Sequence, residues 1–244
     1  GVYAVAWSLA RFIGLFGGAV SSTMFPEISY TSAQETNEAV AGLIEDSLAF
    51  TGLIALPGLV GGTILADRIL RLYGPEFTRG AAVLALLILA TLLYSYLRQL
   101  LNALNGIDRP DLAFRVNAVF IALNAGLNVA LIRRYGIEGA AVASVVSVAV
   151  TLVVCYRVLD RRVAFETPVG EIGRQIVAAA LMGGVVRTVL RAAEAGGLAR
   201  HNALLVVVVV SLGAGVYFAV LLGISARFRG TVRRNLPVEM PRFG

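Results

Sequence analysis

Between Asp111 and Arg157 the chain reads DLAFRVNAVFIALNAGLNVALIRRYGIEGAAVASVVSVAVTLVVCYR. Two apolar runs, each about long enough to cross a bilayer, flank the short polar break Arg133-Arg134-Tyr135-Gly136-Ile137-Glu138-Gly139. The second run opens on Gly139, Ala140, Ala141, Ala143 and Ser144, side chains small enough for another helix to approach the backbone closely. Along the first, Asn117, Asn124 and Asn128 recur at helical spacing, so their amides project from one face. An amide facing lipid has no hydrogen-bond partner, so this face is expected to look into protein or a wet cavity. The stretch predicts a helical hairpin in a membrane.

The rest of the chain agrees with that environment. Of 244 residues, 58% are hydrophobic and 15% charged, where a soluble domain of this size carries about a quarter charged. All the basic side chains are Arg, and the formal charge is +6. In a soluble protein that balance would suggest nucleic acid. Here it reads as Arg in cytoplasmic loops and beside the membrane, and no nucleic-acid partner is expected. Cys155 is the single cysteine, which excludes an internal disulfide and a cysteine-based metal site. No initiating Met or signal peptide opens the chain, and Gly1 lies inside an apolar run, so it reads as the C-terminal part of something longer.

Seven spans are expected. The first is residues 1–25, with Arg11 near its middle and Pro26-Glu27 at its end. Residues 28–46 carry Glu35, Glu38, Glu45 and Asp46 with no base and read as a solvated connector. Ser47–Ala66 spans next, with Pro57 among Gly52, Gly58, Gly61 and Gly62, a static kink or a flexing point. Asp67–Phe77 reads as an amphipathic turn at the interface. A third span begins at Ala81 and runs on through Arg98, Gln99 and Asn102 to a stop at Gly106. The hairpin helices follow at about 112–132 and 138–157, then spans near 172–193 and 203–224. Arg157, Arg161 and Arg162, with Arg227, Arg229, Arg233, Arg234 and Arg242 of the tail, place the 157–174 loop and the C-terminus in the cytoplasm.

Several stretches resemble one family. Tyr135-Gly136-Ile137-Glu138-Gly139-Ala140-Ala141-Val142-Ala143 looks like the Y/F-G-x-x-G-A-A-x-A motif of the polysaccharide flippases in the multidrug/oligosaccharidyl-lipid/polysaccharide exporter superfamily. Gly1-Val2-Tyr3-Ala4-Val5-Ala6 and Phe25-Pro26-Glu27-Ile28 are similar to the G-x-Y-x-x-A and F-P-x-I ends of one family helix. Ile69–Phe77 resembles I-x-x-L-Y/F-G-x-x-F, and Arg109-Pro110 the family's R/K-P ending. The likeness covers about residues 1–158, while 172–224 matches in hydropathy alone. It implies an all-α polytopic bundle. Residues 1–158 would be the second lobe, 159–224 two appended helices and 225–244 a basic cytoplasmic tail. The chain would be helices eight to fourteen of fourteen, its partner the missing N-terminal lobe.

The chemistry in reach is that of transport. One His, no HExxH, no P-loop and no paired carboxylates within the apolar runs leave no convincing catalytic set, and no metal or cofactor is expected. Transport needs polar groups facing a cavity and helices that rock around it. An Arg near mid-span, Arg11, must be paired, hydrated or turned to a lumen, and a cationic lumen suits a phosphate or pyrophosphate head group. Arg98 and Gln99 are either cavity lining or interfacial anchoring, and Asn117, Asn124 and Asn128 either cavity lining or bonds between helices. Pro26, Glu27 and Pro57 are candidate gating positions. The resemblance implies translocation of a lipid-linked saccharide across the cell membrane. A cation-coupled drug exporter, a membrane-embedded glycosyl or phosphoglycosyl transferase and a non-transporting scaffold stay open as alternatives.

Overall fold

A computed structural model describes residues 1–12, 14, 37–196 and 202–235. They are helical almost throughout, and no strand occurs among them. The chain divides into two units, Gly1–Pro168 and Val169–Gly244.

In the first unit, α1 (residues 2–12) buries Val2, Ala6 and Ala10, one turn apart. Ala6 and Ala10 share a core with Val83, Leu84, Leu87 and Ile88 of α4 (Ala81–Gly106). Small residues bring these helices close, since a Cβ on Gly14 would strike the Thr91 methyl. Between them run α2 (Asn37–Ile64), α3 (Ala66–Arg71) and a 3-10 turn (Pro75–Gly80). Helix α4 ends in a Schellman motif. Asp108 takes the left-handed conformation at φ 56°, while Arg109 N–H donates to Leu104 O at 2.9 Å and Asp108 N–H to Asn105 O at 3.2 Å. The helix ends at Gly106, where a stop was expected, but the left-handed residue that closes the motif is Asp108, a residue type that tolerates this backbone region.

The longest element, α5 (Pro110–Asp160), is interrupted at Gly136, where φ is 57° and ψ −133°. Straight, its 51 residues would extend about 77 Å. Ala113, Val116, Val148, Cys155 and Leu159 nonetheless share one core with Leu97, Leu100 and Leu104 of α4. The chain folds back at Gly136, and both arms pack on α4. On the second arm Gly139, Ala143, Ser147, Thr151, Cys155 and Leu159, each four residues on from the last, form a buried stripe. Its hydroxyls are satisfied within the helix, Ser147 donating to Ala143 O at 2.6 Å and Thr151 to Ser147 O at 2.7 Å.

Among the described residues, five helical stretches are long and apolar enough to cross a membrane: Asn37–Ile64, Pro75–Gly106, Pro110–Asp160, Val169–Ala195 and Asn202–Ile224. The hairpin at Gly136 makes two passes of the third. The remaining expected span, 1–25, is helical over 2–12 and lies largely outside the described residues beyond that. One boundary differs from expectation. Helix α2 starts at Asn37, so residues 37–46 are helix, not connector. Val40, Ala41 and Ile44 lie on one face of its first two turns and are buried against α4 and α5, which outweighs the flanking acids. The Glu166 N–H donates to the Glu45 carboxylate at 2.8 Å, placing this acidic turn at the same end of the unit as the loop after α5.

The second unit is a pair of helices, α6 (Val169–Ala195) and α7 (Asn202–Ile224), followed by α8 (Ala226–Asn235). Helix α7 buries Val209, Gly213, Tyr217 and Leu221, again one turn apart. A Cβ on Gly213 would sit 3.1 Å from the Val186 side chain and 3.5 Å from that of Met182 on α6. Leu204, Val207, Val208, Val210 and Leu212 of α7 are exposed, as are Ile176, Val177 and Leu181 of α6. Apolar surface of that extent belongs in lipid.

Candidate functional site

Polar residues on the surfaces of apolar helices are where a transporter's chemistry is sought. In α1 the buried stripe leaves Ala4, Trp7, Ser8 and Arg11 on the exposed side. Arg11 thus lies on a helix surface rather than within the core of its unit.

A second group forms on the α4–α5 hairpin. The Tyr94 ring of α4 packs on Phe120 of α5, centroids 6.0 Å apart. The helices are antiparallel across the tight Ile107–Arg109 turn. Arg98 lies one turn beyond Tyr94, and Asn117 one turn before Phe120, so the two fall at the same level. Both are exposed, as are Phe114 and Arg115 nearby. The Arg109 guanidinium pairs with the Asp111 carboxylate at 3.0 Å at the turn itself, an exposed pair that holds Arg109 above its ordinary pKa. Gln99 faces the other way. It is 2% exposed and enters the core of the unit, with Nε2 lacking a hydrogen-bond partner among the described residues.

Asn124 and Asn128 lie further along the first arm of α5 and are half-buried. Asn128 Nδ2 donates to the Asn124 backbone oxygen at 2.8 Å and to its Oδ1 at 2.9 Å. The two amides therefore satisfy one another within a single helix. Asn117, on the same face seven residues earlier, is outside this pair.

Pro57 is half-buried inside α2, which runs through it to Ile64. Having no N–H, it leaves the Leu53 carbonyl without its usual helical donor. Pro26 and Glu27 lie outside the described residues. No cluster of His, Cys, Asp or Glu able to hold a metal occurs among the described residues.

Sequence reasoning missed one buried ionic joint. Glu171, 7% exposed at the start of α6, accepts the Ser225 hydroxyl at 2.6 Å and the Arg174 guanidinium at 3.1 Å. Glu171 and Ser225 are 54 residues apart in sequence, so no local pattern announces that contact, although Glu171 and Arg174 stand at the local i,i+3 spacing.

Long apolar helices packed through small residues, with polar side chains on their outer faces, define a multi-pass α-helical membrane protein. The family model described as lipid II flippase MurJ matches residues 2–221. The chain belongs to that family. It is 36% identical over 239 residues to the probable flippase AglR of Haloferax volcanii, covering 97% of this chain and 49% of that protein. With the probable low-salt glycan biosynthesis flippase Agl15 of the same organism it shares 33% over 187 residues, or 76% of this chain and 40% of that one. A solved structure titled lipid II flippase MurJ, inward closed conformation, superposes with a TM-score of 0.75 at 17% identity, covering 94% of this chain and 48% of that one. The chain therefore spans about half the length of the relatives it matches. The flippase resemblance drawn from the motifs holds, as does the all-α membrane bundle.

Proposed function

We propose that this chain forms one half of a flippase that moves a lipid-linked saccharide across the cell membrane, acting as a transporter and not as an enzyme. The observation that carries this is the family match over residues 2–221, together with relatives whose names call them flippases. The substrate class is a saccharide on a phosphate or pyrophosphate lipid. Its anionic head would meet guanidinium groups, and its tail would stay in the bilayer. Arg98 and Asn117, level on one hairpin and exposed, are the pair favoured for that contact, with Arg11 as a further candidate. Asn124 and Asn128 would line the path as a coupled pair, and Gln99 would act from behind the surface.

The other lobe of the same protein is the partner this reading requires, and membrane lipid the second. Residues 1–158 make the lobe, 159–224 two further helices and 225–244 a basic tail in the cytoplasm. Pro57, Pro26 and Glu27 are its candidate flexing positions.

Complementation tests the reading. The full-length protein is expressed in cells lacking their own flippase, as wild type, Arg11→Ala and Arg98→Ala/Asn117→Ala, at matched membrane abundance. The side on which the lipid-linked precursor accumulates is then measured. The double variant is expected to strand precursor on the cytoplasmic side, with translocation down at least about tenfold, as loss of a charge-assisted contact predicts. A wild type that moves no precursor sinks the flippase reading. Normal translocation by all variants removes these residues from the path.

A further inference from the structure

Helix α8 begins one residue after α7 ends, yet its composition is unlike that of any span. Its ten residues, ARFRGTVRRN, hold four Arg and no acid. Phe228 and Val232 lie one turn apart and share a face, and Arg229 and Arg233 share the face beside it. Arg227 flanks the apolar stripe on its other side. Such a helix has one edge for lipid tails and two for charge.

The junction with α7 is built, not slack. The Ser225 hydroxyl accepts the Phe228 N–H at 2.9 Å, capping α8, and donates to the buried Glu171 carboxylate at 2.6 Å. Arg229 Nη1 donates to Leu222 O and to Gly223 O, both at 2.9 Å, closing the end of α7. The Phe228 ring stacks on Phe218 of α7 at 5.8 Å with an interplanar angle of 18°. Phe218 belongs to the exposed apolar surface of a helix long and apolar enough to span a membrane. The apolar stripe of α8 continues that surface at the point where the span reaches the headgroups.

We propose that α8 is a membrane-surface helix that binds anionic lipid headgroups, with Phe228 and Val232 in the acyl boundary and Arg227 and Arg233 on phosphates of the leaflet at the Ile224 end of α7. Charge complementarity selects this occupant. A cationic helix with no acid of its own, held beside a span, meets lipid phosphate before any soluble partner. The site uses none of the residues assigned to the transported lipid, and it would hold the second unit in register with the bilayer.

Nitroxide accessibility on the full chain decides it. Labels at Val232→Cys, on the apolar stripe, and at Gly230→Cys, where an added Cβ meets nothing within 4 Å, report opposite faces. Cys155 is fully buried and takes no label. In vesicles of phosphatidylcholine with phosphatidylglycerol, Val232→Cys should relax mainly with oxygen and Gly230→Cys with an aqueous nickel reagent. Each Arg near an anionic surface is worth about fivefold in the docked-to-undocked ratio. Arg227→Gln/Arg233→Gln should therefore lower that ratio by roughly twenty-fivefold, and phosphatidylcholine alone should lower it at least as far. High salt should act in the same direction. A Val232→Cys label that is aqueous in anionic vesicles overturns the proposal. So does one buried equally well without anionic lipid and without the two Arg, because α8 would then be held by apolar contact alone.

Discussion

Two glycines three residues apart let α5 fold into a hairpin, and each does so for a different reason. Gly136 holds φ 57° and ψ −133°, a combination open to glycine and strained for any L side chain. Gly139 has ordinary helical geometry but lies on the backbone of Leu131. A Cβ there would sit 2.6 Å from the Leu131 carbonyl carbon and 3.1 Å from Ile132 N, and a main chain cannot rotate aside as a side chain can. Gly139→Ala should thus force the arms apart and destabilise the protein by about 1–3 kcal/mol, the range for overpacking. Gly136→Ala should cost a comparable amount, about 1–3 kcal/mol, through backbone strain alone. Thermal unfolding in detergent would read both. Gly126→Ala, in a helical position where an added Cβ touches nothing within 4 Å, is the control expected to hold or raise the midpoint. Equal midpoints for all three would refute the close-packed turn.

The hairpin's second arm carries its packing information in volume rather than in polarity. Ala143, Ser147, Thr151 and Cys155 are each fully buried, and the hydroxyls among them bond to their own helix. Thr151→Val removes a hydroxyl that no neighbouring helix uses, so it should change stability by less than about 1 kcal/mol. Ala143→Leu adds three carbons where the helices already touch and should cost about 1–3 kcal/mol or more. The reverse ranking, with Thr151→Val the worse, would mean that the hydroxyl bridges helices after all. The small residues that open the second arm and the hairpin itself were legible in the sequence, because Gly-Ala-Ala spacing and a polar break between apolar runs are local patterns, whereas Ser147, Thr151 and Cys155 joined the stripe only in the packed structure. The start of α2 was not. Glu38, Glu45 and Asp46 dominate that stretch, and the weaker Val40, Ala41, Ile44 face becomes apolar burial only when α4 and α5 are in place. Exposure divided the candidate site in the same way. Arg98 and Asn117 could be placed at one level only once the Tyr94–Phe120 register was known, and Gln99 proved to be in the core beside an exposed neighbour. A helical wheel does not say which face another helix will cover.

Taken as a whole, the first unit has two ends, and its interactions assign loops to each. The residues after Asp160 and the acidic first turns of α2 share one end, joined by the Glu166–Glu45 hydrogen bond, and the core that Leu104 and Ala113 share with Ile44, Leu159 and Val163 places the Asp108 turn there too. Ala66 and Leu70 share a core with Ala141, just past the Gly136 turn, and so mark the other end. The first arm of α5, Pro110 to Tyr135, rises about 39 Å, enough to carry the chain across a hydrocarbon core of about 30 Å. The proposed orientation puts this end in the cytoplasm, where Arg157, Arg161 and Arg162, with Arg174 and the tail Arg, would form the denser cluster. The bias is contested, since Arg68, Arg71, Arg133 and Arg134 load the opposite end. Impermeant maleimide applied to intact cells should therefore label Tyr135→Cys at once, and Asp108→Cys and Arg162→Cys only after permeabilisation. Labelling of Asp108→Cys and Arg162→Cys but not Tyr135→Cys would invert the orientation and leave the hairpin standing. If one of the two cytoplasmic sites reacted with Tyr135→Cys and the other did not, the hairpin would not cross the membrane as two passes, because antiparallel arms of this length return the chain to the side it left.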